Sequence, residues 1–99
     1  MMSPVWRLSG LTGSEPGHLR LHGGRLAYTP IEAGKKGFDI PLSDVRDINF
    51  PWHYINGGFK MNIGADHYRF SFIEPHNEYA DISTGIEAGK AWKKLLLSK

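Results

Sequence analysis

The sequence predicts one small, mainly β domain: about seven short antiparallel strands followed by a single C-terminal α-helix. Three observations carry that prediction. Apolar residues alternate at period two in short runs between Val5 and Ile73, clusters of turn residues separate those runs, and from about Ile82 the periodicity becomes helical. No repeat, low-complexity tract or linker interrupts the chain, so residues 1–99 read as a single domain.

The elements follow in order. Val5 to Leu11 forms the first strand, with Trp6 and Leu8 sharing a face, and the cluster from Thr12 to Gly17 is its turn. His18 to His22 is a second strand, with Leu19 and Leu21 pointing one way and His18, Arg20 and His22 the other. Gly23-Gly24 accommodates the positive φ angles of a tight hairpin, and Arg25 to Thr29 returns as the third strand with Leu26 and Tyr28 inward. Pro30 to Gly37 is a loop carrying Lys35 and Lys36. Phe38 to Leu42 is a fourth strand whose Pro41 cannot donate a ladder hydrogen bond, which places it at an edge or a bulge.

Ser43-Asp44 leads into a fifth strand, Val45 to Phe50, with Ile48 and Phe50 inward. An aromatic loop from Trp52 to Gly58 precedes strand six, Phe59 to Ile63. Strand seven, His67 to Ile73, sets Tyr68, Phe70 and Phe72 against Arg69 and Ser71. In the terminal helix Gly85, Ala88, Gly89, Trp92, Leu95 and Leu96 share one face, opposite Glu87, Lys90 and Lys94. Thr84 with Glu87 matches a capping box, and Asp81 is the alternative cap. Two glycines on the apolar face imply that the helix backbone lies close against a sheet.

Composition narrows the function classes. A chain of 99 residues that is 40% hydrophobic, with 12 aromatics, has ordinary globular composition. It contains no cysteine, which excludes disulfides and thiolate metal sites and favours a cytoplasmic setting. No apolar run reaches the roughly 18 residues that span a bilayer, and the N-terminus lacks a signal-peptide layout. Twelve Lys and Arg against ten Asp and Glu are interspersed, not clustered, which argues against nucleic acid as a partner.

The motif order resembles the pleckstrin-homology superfold and, within it, the GRAM-like branch. The residues that carry the resemblance are Gly17-His18-Leu19, Leu26-Ala27-Tyr28, Ile40-Pro41-Leu42-Ser43-Asp44-Val45 and Tyr68-Arg69-Phe70-Ser71-Phe72, with Trp92 in the helix. The resemblance covers nearly the whole chain. It implies a partly open barrel of two nearly orthogonal antiparallel sheets, with the helix, and Trp92 in particular, plugging one end. Such domains present loops and grooves for binding and carry no built-in chemistry. Many bind phosphoinositides, and the positions that match are Arg7, then His18 and Arg20, with Lys35 and Lys36 on the next loop. His18 stands where a permanent cation is usual, and the intervening loop carries Glu15 in place of lysine. The same residues also read as the wet face of a half-buried sheet.

Trp52, His53, Tyr54 and Ile55 form the most unusual local feature. They read either as aromatic anchors of a protein interface or as a loop whose Trp52 and Ile55 seal an end of the barrel. Lys90, Lys93 and Lys94 read as a solvated helix face or a membrane-surface patch. The five histidines have no ligand spacing, and His18 and His22, four apart on a strand, are separated by roughly 13 Å. No nucleophile elbow, phosphate loop or dinucleotide fingerprint is present, and Asp44 and Asp47 are not placed as a catalytic pair. The sequence therefore predicts a non-enzymatic cytoplasmic interaction module, with no cofactor and no metal. Its predicted partner is a protein or peptide, including a second copy of itself, bound through loops or by addition to a sheet edge. The alternative is peripheral binding of anionic lipid headgroups at the inner membrane face.

Overall fold

A computed structural model describes residues 1–51 and 57–97. Seven strands are present: β1 (Met2–Ser9), β2 (Gly13–His22), β3 (Arg25–Pro30), β4 (Phe38–Pro41), β5 (Arg46–Asn49), β6 (Phe59–Ile63) and β7 (Asp66–Ser71). A 3-10 turn (Leu42–Asp44) links β4 to β5, and one helix, α1 (Ile82–Leu97), follows. All strands are antiparallel to their neighbours in the order β4-β3-β2-β1-β7-β6-β5. Where two sheets were expected, the hydrogen-bonded ladder is continuous. The join is narrow, however. β1 pairs with β2 over its whole length, from Met2 opposite Arg20 to Ser9 opposite Gly13, but meets β7 only at Trp6–Ser71 and Arg7–Phe70.

The main differences from the sequence reading are in β1 and β2, while β3, β4, β5 and β7 shift by one or two residues at their ends. β1 starts at Met2, and β2 starts at Gly13, so the Gly/Pro cluster expected to be a turn is strand. Gly17 is required there because Tyr28 crosses it: a Cβ on Gly17 would overlap the Tyr28 ring. The turn itself shrinks to residues 10–12. The Gly23-Gly24 hairpin forms as expected, with φ of 58° and 73°. β4 is an edge strand, which is where Pro41 is tolerated.

The sheet curls strongly. Phe38 on edge strand β4 and Tyr68 on β7 are four strand spacings apart, which would be about 19 Å in a flat sheet. Their ring centroids are 5.1 Å apart. Curling brings one inward row per strand into a single core: Val5, Leu19, Leu26, Tyr28, Phe59, Met61, Phe70 and Phe72, joined by Val45 and the helix. On β1 it is Val5 that faces this core, so the Trp6–Leu8 face is the outer one. Aromatic pairs tie the walls together, including Tyr28–Phe70 at 5.2 Å and Phe50–Phe59 at 4.8 Å between centroids.

The helix closes the end of the barrel opposite the β1–β2, β3–β4 and β6–β7 connections. Its buried residues are Gly85, Gly89, Trp92 and Leu96, whereas Leu95, expected on the same face, is 43% exposed. At 100° per residue Leu95 falls at the margin of a face narrowed by the two glycines. Trp92 is fully buried, stacks on Phe72, and donates its indole N–H to Ser3 Oγ at 2.9 Å. The helix backbone does approach another backbone closely, but that of Gly57 in the β5–β6 connection, not a sheet face. A Cβ on Gly89 would overlap the Gly57 carbonyl. Of the two caps, Asp81 acts: its carboxylate accepts from the Ser83 amide and hydroxyl at 3.0 and 2.6 Å, and from the Thr84 hydroxyl at 3.0 Å.

These contacts set two expectations. Trp92→Ala should cost about 3–5 kcal/mol, the range for deleting a buried large aromatic, read by denaturant unfolding. Gly89→Ala would gain roughly 1 kcal/mol of helix propensity on its own. Because its methyl group meets backbone, the variant should melt below the wild type; a higher melting temperature would refute the close approach.

Candidate binding surfaces

At the end of the barrel away from the helix, the inward face carries Arg7, Glu15, Tyr28, Phe38 and Tyr68. Arg7 stands opposite Glu15 in the β1–β2 register, and its guanidinium carbon lies 4.4 Å above the centre of the Tyr68 ring. Glu15 accepts a 2.6 Å hydrogen bond from the Tyr28 hydroxyl. Burial above all, then the hydrogen bond to Glu15 and the charge of Glu15, push the Tyr28 phenol well above its ordinary value of 10. Arg7 pulls weakly the other way. Lys35 and Lys36 are exposed on the β3–β4 connection at this same end.

The five anion candidates are not brought together. Arg7 shares the inner face with Val5. His18 and Arg20 stand on the outer face, opposite Pro4 and Met2 in register. Arg20 and Arg7 are also offset by five residues along β1, about 17 Å. The inner charge is balanced by Glu15, so this end offers no concentrated basic pocket. Trp52, His53, Tyr54 and Ile55, the interface candidates, lie outside the described residues. Lys90, Lys93 and Lys94 are exposed along α1, with Leu97 beside them in a shallow surface depression.

Sequence reasoning did not single out Trp6. It stands half-buried on the outer face of β1, flanking a cleft of about 370 Å³ whose apolar floor is Pro4, Trp6, Phe72 and Ile73. Glu74, Asp81 and Thr84 border this cleft. A second depression of about 440 Å³ shares Ile73, Glu74, Asn77 and Ala80 with it and extends past Pro75, Glu78 and Ile82. Tyr79, 89% exposed, belongs to the same β7–α1 connection. That connection is held by its own side chains: Asn77 donates to Glu74 Oε1 at 2.8 Å and accepts from the Tyr79 amide at 2.9 Å, and Ser71, fully buried, donates to the Ile73 carbonyl at 2.6 Å. The signal available in the sequence was Trp6 itself, a large aromatic on the strand face opposite Val5.

Among the described residues no group of His, Asp or Glu could hold a metal ion, and no helix is long and apolar enough to cross a membrane. The Asp81 carboxyl is held below its ordinary value of 3.8 by the Ser83 and Thr84 hydrogen bonds. Its contribution is therefore present above pH 3.8 and disappears as pH falls through the lowered value.

Tyr28 gives the opposite sign. A phenol whose folded pKa exceeds 10 contributes stability in full below pH 10 and loses it as pH rises further. Tyr28→Phe should thus cost about 1 kcal/mol at neutral pH, and the gap to the wild type should narrow in alkaline denaturation curves. An ultraviolet tyrosinate titration should find Tyr28 ionising well above pH 10, as a step that Tyr28→Phe removes.

No protein-family model and no curated protein matches the chain. Among solved structures, the chain is similar to the solution structure of the N-terminal PH domain of human ARAP2. The identity is 16%, the TM-score is 0.67, and the alignment covers 99% of this chain and 76% of that one. At that identity the likeness concerns architecture alone. The chain has a pleckstrin-homology-like fold, mainly β with seven antiparallel strands and one C-terminal helix.

Proposed function

We propose that this chain is a non-catalytic interaction module, and that it takes a protein or peptide segment in the cleft beside Trp6. The observation that carries this reading is the cleft's make-up: an apolar floor of Pro4, Trp6, Phe72 and Ile73 beside the carboxylates of Glu74 and Asp81, with Glu78 in the adjoining depression. An aromatic floor rewards a large apolar side chain, and the acidic border selects basic neighbours on the same segment. The internal hydrogen bonds of the β7–α1 connection lower the ordering cost of binding. The matched partner is therefore a segment with an apolar anchor flanked by Lys or Arg.

Anionic lipid is the weaker reading. Arg7 already faces Glu15 and Tyr68, and Arg20 points away from it, which leaves Lys35 and Lys36 as the exposed cations of that end. The order of the Ile40-Pro41-Leu42-Ser43-Asp44-Val45 and Tyr68-Arg69-Phe70-Ser71-Phe72 motifs supports a place in the GRAM-like branch. The absence of cysteine favours a cytoplasmic setting.

Selection from a random peptide display library tests the proposal. Enriched peptides should carry a large apolar residue beside Lys or Arg. Trp6→Ala should weaken them about tenfold or more, and Glu78→Lys, at an exposed position of the adjoining depression, should do so without lowering the melting temperature. Binding that survives both substitutions would place the partner elsewhere. Sedimentation of the unliganded protein identifies a second copy as the occupant if it dimerises and Trp6→Ala restores the monomer.

A further inference from the structure

A depression of about 540 Å³ forms a groove on the outer face of β5, β6 and β7. It shares no lining residue with the Trp6 cleft. Phe59, Met61 and Phe70 turn inward, so Lys60, Asn62 and Arg69 stand outward, and the register extends this face to Asn49 and His67. A bulge between Arg46 and Asn49, with Asp47 at φ 56°, bends β5 and turns the Asp47 carboxylate over the same face.

Two features of this groove are unusual for a wet sheet face. First, Lys60 and Arg69 stand directly opposite each other on adjacent strands, with no carboxylate in ion-pair distance of either among the described residues. Like charges in that relation, with Cβ atoms about 5 Å apart, destabilise a sheet. Arg46, opposite Asn62, adds a third cation to the face, and Asp47 is the one acidic group lining the groove. Second, the polar groups beside the cations are already oriented. Asn62 donates to Asp47 Oδ2 at 2.8 Å, which leaves its carbonyl to meet His67 Nδ1 at 2.6 Å. His67 therefore donates through Nδ1 and keeps Nε2 open. Arg69 is held by a 2.8 Å bond from Nη2 to the Gly10 carbonyl, with its remaining N–H groups unengaged.

From this we infer that the groove binds a phosphate monoester of roughly sugar-phosphate size. A dianion between Lys60 and Arg69 removes their repulsion, with the guanidinium supplying a fork and the ammonium a point charge. The groove's volume exceeds what one phosphate fills and suits a small organic phosphate. Asn49 and His67 Nε2 then face the ester's hydroxyl groups.

The test is an amide NMR titration with glycerol phosphate and with inorganic phosphate, against chloride at matched ionic strength. A parallel arm uses vesicles with and without a phosphorylated headgroup. Saturable shifts over residues 47–49, 60–62 and 67–69, weakened about tenfold or more by Lys60→Gln, support the site with a free ester as ligand. Lys60-dependent binding confined to phosphorylated vesicles supports it with a lipid headgroup as the source. Lys60→Gln should also match or exceed the wild-type melting temperature in phosphate-free buffer, because it relieves the opposed charges. Binding that Lys60→Gln leaves unchanged, or no binding in either arm, overturns the site.

Discussion

The indole of Trp92 lies against Phe72 with its single polar atom bonded to Ser3 at the start of β1. That contact joins residues 89 apart in sequence, and it is what allows a curled sheet to end without a wet core. A sheet that bends until β4 meets β7 leaves two open ends, each exposing inward aromatic side chains. The helix fills one of them. For Trp92 to reach far enough in, the helix axis must come close to the β5–β6 connection, and Gly57, Gly85 and Gly89 are the residues that permit it. The price in helix propensity is offset by burial of the largest of the fully buried side chains.

The other end is closed differently. Tyr28, Phe38, Tyr68 and Phe70 form a ring of contacts, and Arg7 covers Tyr68 while Glu15 takes the Tyr28 hydroxyl. Charge at this end is used internally, to satisfy the polar edges of aromatic side chains. The two depressions proposed as binding sites lie on the outer surface. They differ in character: beside β1 and the β7–α1 connection lies an apolar cleft with an acidic border, and over β5, β6 and β7 a polar groove with a basic centre.

Much of the architecture was legible from local pattern. β6 runs from Phe59 to Ile63 as alternation alone indicated, the Gly23-Gly24 hairpin formed, and Pro41 marked an edge strand. The errors arose where a residue's role depended on a distant neighbour. Gly13 to Gly17 has turn chemistry, yet it is strand, because the Tyr28 ring needs the space over Gly17. The grouping of Arg7 with His18 and Arg20 followed the pattern that the family resemblance implies. Register then placed them on opposite faces, since Arg7 lies an odd number of residues from the β1 positions that pair with them.

Period, turn chemistry and composition were enough by themselves to specify the number of strands, the alternation along each and the single amphipathic helix. Those properties depend on neighbours within a few residues, and every strand repeats the same rule. The direction in which the sheet curls, the pairing of Lys60 with Arg69, and the outward, half-buried placement of Trp6 beside a buried Val5 were decided only in three dimensions. Each is a relation between segments, set by register and by which face is covered, and a periodicity of two carries no information about either.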